Sequence, residues 1–289
     1  MTHFDFFPQA ISALASADVA RALAEDVGAG DLTAALIDPQ RRAQARVLVR
    51  ESAVLCGTAW ASAAVLALDP SARLRWSAPE GQRTEADQVV LQIEGQAQAL
   101  LTAERTALNF LQLLSAVATQ TAAYVEAIRD VPGNRAVIVD TRKTLPGLRL
   151  AQKYAVRAGG GTNHRIGLFD AVLIKENHIA AAGGVSAALA RAQAVATQAQ
   201  FIEIEVETLA QLDEALQAGA RMVLLDNMSF DQMRQAVALN AGRAILEVSG
   251  GVTMATVRDI AATGVDRISI GALTKDVRAT DFSMRFEDL

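Results

Sequence analysis

Apolar and polar positions follow two different rhythms along this 289-residue chain. Up to about Asp130 the pattern is mixed. Helical spacing over Ala17–Asp26 leads into a turn-like Gly28-Ala29-Gly30-Asp31. Period-two alternation then predicts strands at Ala45–Arg50, Ala53–Cys56, Arg73–Ser77 and Gln88–Glu94, each with one face buried and one wet. Among them an alanine-rich helix starts at Thr58 and is ended by Asp69-Pro70, and long helical periodicity covers Ala97–Arg129. Strands and helices do not alternate regularly here, so this half reads as an α+β domain.

From Arg135 the rhythm changes. Short, nearly continuous apolar runs recur at Ala136–Val139, Ala171–Ile174, Phe201–Ile204, Met222–Leu225, Ala244–Val248 and Arg267–Ile270. Helix-period segments follow the first five. That alternation predicts βα units and a parallel sheet covered on both sides. Six units fit an incomplete (β/α) barrel of the TIM type better than a dinucleotide fold, since no strand is followed by Gly-x-Gly-x-x-Gly. The expected division is an N-terminal domain over residues 1–115, a catalytic barrel over 116–274, and a tail, 275–289, returning to the first domain.

Composition narrows the class. Hydrophobic residues make up 51% and charged residues 20%, as in a soluble protein with a sizeable core. No apolar run approaches the ~18 residues of a membrane span, and the N-terminal MTHFDFFPQA lacks the layout of a secretory signal. A cytoplasmic location is expected. Cys56 is the only cysteine, so there is no internal disulfide, and its apolar neighbours make it a buried strand thiol. A net charge of −5 and 4% aromatics disfavour an RNA-binding barrel. His3 carries no signal.

Against that acidic balance, Asp140 to His178 concentrates cations: Arg142, Lys143, Arg149, Lys153, Arg157, His164, Arg165, Lys175 and His178, about a Gly159-Gly160-Gly161 turn. Like charges gather where something negative sits among them, so a small, strongly anionic ligand is expected. The strand ends carry the rest of the chemistry. Asp140-Thr141-Arg142-Lys143 ends the first barrel strand and Lys175-Glu176-Asn177-His178 the second. Glu203, Glu205 and Glu207 belong to the third, and spacing does not choose among them; Asp226-Asn227 ends the fourth. All such ends open on one barrel face. The pattern is a site with a cationic half and an acidic half. Ser249-Gly250-Gly251, read as leading into a helix, and Ser269 with Gly271 suit a phosphate, whose oxygens backbone N–H groups can approach where no side chain intervenes.

Glu205 and Asp226 suit ribose hydroxyls or water-coordinated Mg²⁺; the plainer alternative is ion pairing with Arg142 or Lys175. Lys175 reads either as a carboxylate anchor or as a Schiff-base amine of an aldolase-type barrel. His164-Arg165 suits planar carboxylate recognition, while His178 reads equally well as a helix cap. Arg105 lies in a helix with Leu101, Leu108, Leu111 and Leu114 as its apolar stripe; taken alone it reads as a solvated or salt-bridged surface arginine.

These residues resemble the quinolinate phosphoribosyltransferase family over almost the whole chain. The likeness rests on Glu25-Asp26 with Gly28-x-Gly30-Asp31-Leu32-Thr33, on Glu104-Arg105-x-x-Leu108-Asn109, and on Thr141-Arg142-Lys143-Thr144-x-Pro146-Gly147-Leu148-Arg149. Its most specific part is GGGTNHRIGLFDAVLIKENHI, Gly159 to Ile179, followed by Glu203-x-Glu205-x-Glu207, Asp226-Asn227-Met228, Glu247-x-Ser249-Gly250-Gly251 and Ser269-x-Gly271-Ala272-Leu273-Thr274. The resemblance implies an α/β sandwich joined to a barrel of fewer than eight strands, in a homodimer that completes each active site with the neighbour's N-terminal domain. It implies Mg²⁺ and two substrates, quinolinate and phosphoribosyl pyrophosphate. Arg142, His164, Arg165 and Lys175 would bind quinolinate, with Arg105 reaching the partner's site. Lys143 would lie between that ring and the diphosphate, and Glu205 and Asp226 would hold the ribose end with the metal. Ser249, Gly250, Gly251, Ser269 and Gly271 would take the phosphate. Lys143, Lys175, Glu205 and Asp226 are thus the expected catalytic set. Ala116, where the family's pattern has glycine, and Asp276, where it has histidine or serine, depart from it away from the ligand positions. A branch associated with molybdenum transport is a sibling; the complete His164, Arg165 and Lys175 set favours quinolinate.

Overall fold

A computed structural model describes residues 5–287, so His3 lies outside the described residues. The chain forms two compact units. One comprises Asp5–Ala122, Leu145–Gly160 and the chain from Thr274 onward; the other comprises Ala123–Thr144 and Gly161–Leu273.

The first unit opens with α1 (Pro8–Val27), which begins nine residues before the Ala17–Asp26 stretch that helical spacing predicts and ends one residue after it. Its N-terminal half is mostly Ala, Ser and Gln and shows little periodicity, yet Pro8 fits the first turn, where no backbone N–H partner is needed. β1 (Arg42–Val49), β2 (Ala53–Val54), α2 (Thr58–Leu68), β3 (Arg73–Trp76), β4 (Arg83–Thr84), β5 (Val89–Gln96) and α3 (Ala97–Arg129) follow, with α3 continuing into the second unit. β1 alternates exposed and buried residues along its length, as its Arg-Ala-Gln-Ala-Arg-Val-Leu-Val sequence requires.

β6 (Val137–Val139) begins the second unit, but α4 (Arg149–Ala158) after it belongs to the first, where α1 packs against both α2 and α4. Gly159 allows that return: a Cβ there would lie 2.3 Å from the Ala118 carbonyl oxygen.

The barrel continues as β7 (Val172–Ile174), α5 (Glu176–Ala182), α6 (Val185–Val195), β8 (Ile202–Val206), α7 (Leu209–Gln217), β9 (Met222–Asp226), α8 (Phe230–Asn240), β10 (Ile245–Ser249), α9 (Val257–Ala261), β11 (Arg267–Ser269) and α10 (Ala272–Lys275). Its six strands are parallel in the order β6-β11-β10-β9-β8-β7, and Thr162 adds a parallel bridge to Val139 beside β6. The last strand, β12 (Phe282–Glu287), pairs antiparallel with β1, and the first unit's sheet runs β12-β1-β5-β3. Phe282, Met284 and Phe286 alternate with polar residues, which is the signal for that strand. α9 begins only at Val257, so Ser249-Gly250-Gly251 does not lead directly into a helix and gains no helix-terminal charge from it. No helix among the described residues is long and apolar enough to cross a membrane.

Ala116 is buried within α3. Asp276 is exposed, 3.6 Å from Lys275 Nζ.

Candidate active site

Successive parallel strands point alternate residues into the barrel, so register decides which strand-end groups meet. Glu205 lies opposite Leu224, which lies opposite Glu247, which lies opposite Arg267. Two residues along each strand, Asp226 lies opposite Ser249. The result is a cleft of about 270 Å³ within the barrel unit. Thr141, Arg142, Lys143, His164, Arg165 and Lys175 line its cationic side. Glu205 and Glu247 stand among its remaining lining, with Leu173, Leu224, Ser249 and Ser269.

The cationic stretch therefore divides. Arg142, Lys143, His164, Arg165 and Lys175 converge on the cleft, whereas Arg149, Lys153 and Arg157 ride on α4 in the other unit. Lys153 is fully buried there, and Arg157 lies over the Phe6 ring at 5.4 Å. A helix inserted between two barrel strands carries these three away, which charge counting along the sequence does not register. His178 is a cap: its Nδ1 accepts the Lys175 backbone N–H at 2.9 Å at the start of α5. Arg105 is exposed on α3 in the first unit, with no ion pair among the described residues.

Arg142 is the most informative of the cleft cations. Its Nε and Nη1 are buried and have no hydrogen-bond partner among the described residues. Buried donors left unmade are costly, more so on a charged group. Arg165 Nη1 reaches only the Ala171 carbonyl, at 3.3 Å. Burial, and then the nearby Arg142 guanidinium, lower the Arg165 pKa below its ordinary value. Two guanidiniums crowded in this way are suited to a carboxylate.

Lys175 Nζ donates to Glu205 Oε2 at 2.9 Å, the ion pair across the mouth that the sequence allowed. Burial and the Glu205 charge raise the Asp226 carboxyl, while the Asn227 side chain, donating to Asp226 Oδ2 at 2.8 Å, opposes the rise. Asn227 has φ 52°, a left-handed conformation that asparagine tolerates. Gly250, at φ 95°, admits this neighbour closely: a Cβ would lie 2.1 Å from Asn227 Oδ1. At Gly271 a Cβ would meet Lys143 Cδ at 3.0 Å.

The three glutamates of the β8 segment separate. Glu205 reaches the cleft, Glu207 lies beyond the strand and is exposed, and Glu203 is fully buried beneath the cleft. Sequence spacing placed Glu203 on the Glu205 face but not its depth. Glu203 Oε2 accepts from His164 Nε2 at 2.8 Å, and Glu247 Oε1 lies 3.4 Å from the same nitrogen. Glu247 also accepts from Arg267 Nε at 2.8 Å and from the Ser269 hydroxyl. His164, Glu203 and Glu247 are spaced as metal ligands, within 4.8 Å of one another. Both His164 nitrogens and both Glu247 oxygens are already hydrogen-bonded, however, so the group is a self-contained polar network.

Burial pushes the Glu203 carboxyl up from 4.5 to about 7, with Arg267 and then Arg165 pulling the other way. A raised carboxyl favours the fold below its ordinary pKa, and that contribution is lost as pH climbs through the folded value. The loss amounts to about 3 kcal/mol. Urea unfolding is therefore expected to show Glu203→Gln gaining stability over the wild type between pH 5 and pH 8. An equal difference at the two pH values would contradict the burial cost.

Comparison with known proteins decides the family. The N-terminal domain of quinolinate phosphoribosyl transferase matches residues 31–115, and the C-terminal domain of the same family matches residues 117–285. The chain belongs to the quinolinate phosphoribosyl transferase family. Within that family it is similar to a probable nicotinate-nucleotide pyrophosphorylase [carboxylating] of Bacillus subtilis, 40% identical over 90% of this chain and 89% of the relative. It is also similar to a tobacco (Nicotiana tabacum) quinolinate phosphoribosyltransferase [decarboxylating], 39% identical over 92% of this chain and 80% of that one. The solved nicotinate-nucleotide pyrophosphorylase of Francisella tularensis superposes with a TM-score of 0.91 at 42% identity, covering 96% of this chain and 97% of the other. Family membership and the parallel barrel agree with the fold expected from the alternating strands.

Proposed function

We propose that this chain transfers the phosphoribosyl group of phosphoribosyl pyrophosphate to the ring nitrogen of quinolinate, with decarboxylation. The products are nicotinate mononucleotide, pyrophosphate and CO₂, which makes the enzyme a pentosyltransferase of NAD biosynthesis. The observation that carries the reading is Arg142, half-buried with Nε and Nη1 buried and unpartnered among the described residues, beside Arg165 in a cleft that also holds Glu205. It suits a dianionic aromatic acid on one side and a developing positive charge on the other.

In this reading Arg142, Arg165 and Lys175 grip the dicarboxylate, and His164 orients that group from below. Fixing the pyridine nitrogen against the ribose carbon supplies much of the acceleration by proximity. Bond breaking to pyrophosphate leaves positive charge on the ribose ring, which the Glu205 and Asp226 carboxylates stabilise. The pyridine nitrogen is the nucleophile, so no protein nucleophile is required. Once alkylated, the ring accepts the electron pair left as the adjacent carboxylate departs as CO₂, and that carbon then takes a proton. Lys143, against Gly271, lies between ring and diphosphate, while Ser249, Gly250, Gly251, Ser269 and Gly271 receive the phosphate. No observation favours a Schiff-base lyase centred on Lys175.

Mg²⁺ belongs to the proposal, held by Glu205 and Asp226 directly or through water. Their hard oxygen donors fit it, and a cation between them would relieve the Glu205 repulsion that, after burial, raises Asp226. When bound, the ion neutralises charge on the departing pyrophosphate. A cytoplasmic location accords with the single free, buried Cys56.

The proposal includes a homodimer in which Arg105 serves the partner's cleft. Mixing inactive Arg105→Ala with inactive Lys175→Ala is then expected to restore partial activity through hybrid dimers. No recovery after verified subunit exchange would contradict a shared site. Gly250→Ala is expected to raise KM for phosphoribosyl pyrophosphate by about tenfold, because the new methyl displaces Asn227 and with it Asp226. An unchanged KM would contradict that assignment. The reaction itself is tested by nicotinate mononucleotide formation from quinolinate, phosphoribosyl pyrophosphate and Mg²⁺, with nicotinate as the control acceptor. Product from quinolinate alone is expected; product from nicotinate alone would overturn the reading.

A further inference from the structure

The bore of a (β/α) barrel is ordinarily filled by branched apolar side chains. Here the floor of the cleft and the layer beneath it hold Glu247, which lines the cleft, with Glu203 and Arg267, and His164 bonded to Glu203. Glu203 and Glu247 are fully buried; Arg267 pairs with Glu247 at 2.8 Å, while Arg267 and Arg165 act on Glu203 only from beyond ion-pairing distance. Two buried carboxyl groups with one ion-paired arginine are an expensive way to fill space, and a leucine of similar volume would avoid their desolvation. Among the described residues no lysine or arginine lies within ion-pairing distance of Glu203, which accepts from the His164 imidazole, and its Oε1 has no partner. Its contact is thus concentrated on one group, His164.

His164 in turn controls the chain carrying Arg165. The Arg165 backbone N–H donates to His164 Nδ1 at 2.8 Å, which leaves Nε2 as the protonated nitrogen that donates to Glu203. The His164 backbone N–H donates to Asp140 Oδ1 at 2.8 Å, and the imidazole edge meets the Phe201 ring at 5.4 Å. Asp140 therefore fixes the backbone of His164, while Glu203 fixes the rotation and tautomer of its ring. With the ring fixed, the start of the Arg165 side chain is fixed too.

We propose that Glu203 is a positioning residue for dicarboxylate recognition: through the His164 imidazole it sets the place from which Arg165 reaches into the cleft. This inference rests on the proposed quinolinate reaction. It assigns Glu203 a task distinct from that of Glu205, two residues along the same strand, which faces the cleft itself.

The experiment compares Glu203→Leu, which keeps the volume and removes the acceptor, with Glu203→Gln, which keeps an oxygen for Nε2–H. Both are assayed with quinolinate and with phosphoribosyl pyrophosphate as the varied substrate, and their melting midpoints are recorded. Glu203→Leu is expected to raise KM for quinolinate by about tenfold to a hundredfold. Its KM for phosphoribosyl pyrophosphate is expected to stay within about twofold, and its melting midpoint to be no lower than that of the wild type. Glu203→Gln is expected to recover most of the quinolinate affinity. Should Glu203→Leu not fold, Glu203→Met, which also lacks an acceptor, carries the same expectation. The inference is overturned by an unchanged quinolinate KM in Glu203→Leu, by equal damage in both variants, or by a parallel rise in both KM values with a lowered midpoint. Turnover by the wild type with any of those results removes this inference alone; absence of quinolinate-dependent turnover by the wild type removes the proposed reaction as well.

Discussion

Arg142→Ala is expected to cut kcat/KM for quinolinate by the equivalent of about 2–5 kcal/mol, with little change in KM for phosphoribosyl pyrophosphate. Two of the Arg142 guanidinium nitrogens, Nε and Nη1, already stand buried and unpartnered among the described residues, so the protein bears that cost before substrate arrives. A carboxylate entering the cleft then gains charge-assisted bonds without a further rearrangement of the arginine. Arg142→Lys is expected to recover only part of the loss, because an ammonium cannot present the same planar fork. Steady-state kinetics with each substrate varied separates these outcomes. An Arg142→Ala enzyme with wild-type quinolinate kinetics would remove the dicarboxylate from this wall.

Glu205→Ala is expected to act on the other substrate. Glu205 pairs with Lys175 at 2.9 Å and raises its neighbour Asp226 by like-charge repulsion, so its charge reaches both walls of the cleft. Loss of that charge removes electrostatic support for the ribose as pyrophosphate leaves, and kcat is expected to fall by about 10²–10³. Glu205→Gln is expected to be nearly as damaged, since the carboxylate charge is what acts. This is the reverse of the expectation at Glu203, where an uncharged acceptor suffices. A Glu205→Gln enzyme with wild-type kcat would show that its charge has no part in the chemistry.

The parallel strands of the barrel were legible because their apolar runs are short, regular and separated by helical spacing. Their C-terminal ends singled out Arg142, Lys175, Glu205 and Asp226 as candidates once the barrel was inferred; Arg142, Lys175 and Glu205 line the cleft, whereas Asp226 lies opposite Ser249 and outside the cleft's lining. Depth was not legible. Glu203 and Glu205 have the same alternation, and only the register of β7 and β8 with the closing layers separates the buried acid from the cleft acid. The excursion of α4 was hidden for a related reason: Arg149, Lys153 and Arg157 are close to Arg142 in sequence, while the chain carries them into the other unit. Arg105 illustrates the limit of local reasoning. Its exposed helical setting resembles that of any surface arginine, and its proposed task comes from family likeness.

The most direct test of the whole account is a crystal structure of the enzyme with phosphoribosyl pyrophosphate, Mg²⁺ and benzene-1,2-dicarboxylate, which has the two carboxylates but no ring nitrogen to react. The expected result is one carboxylate hydrogen-bonded to the Arg142 and Arg165 guanidiniums, with the ribose against Glu205 and Asp226 in the same cleft. A dicarboxylate bound elsewhere, with both arginines untouched, would contradict it.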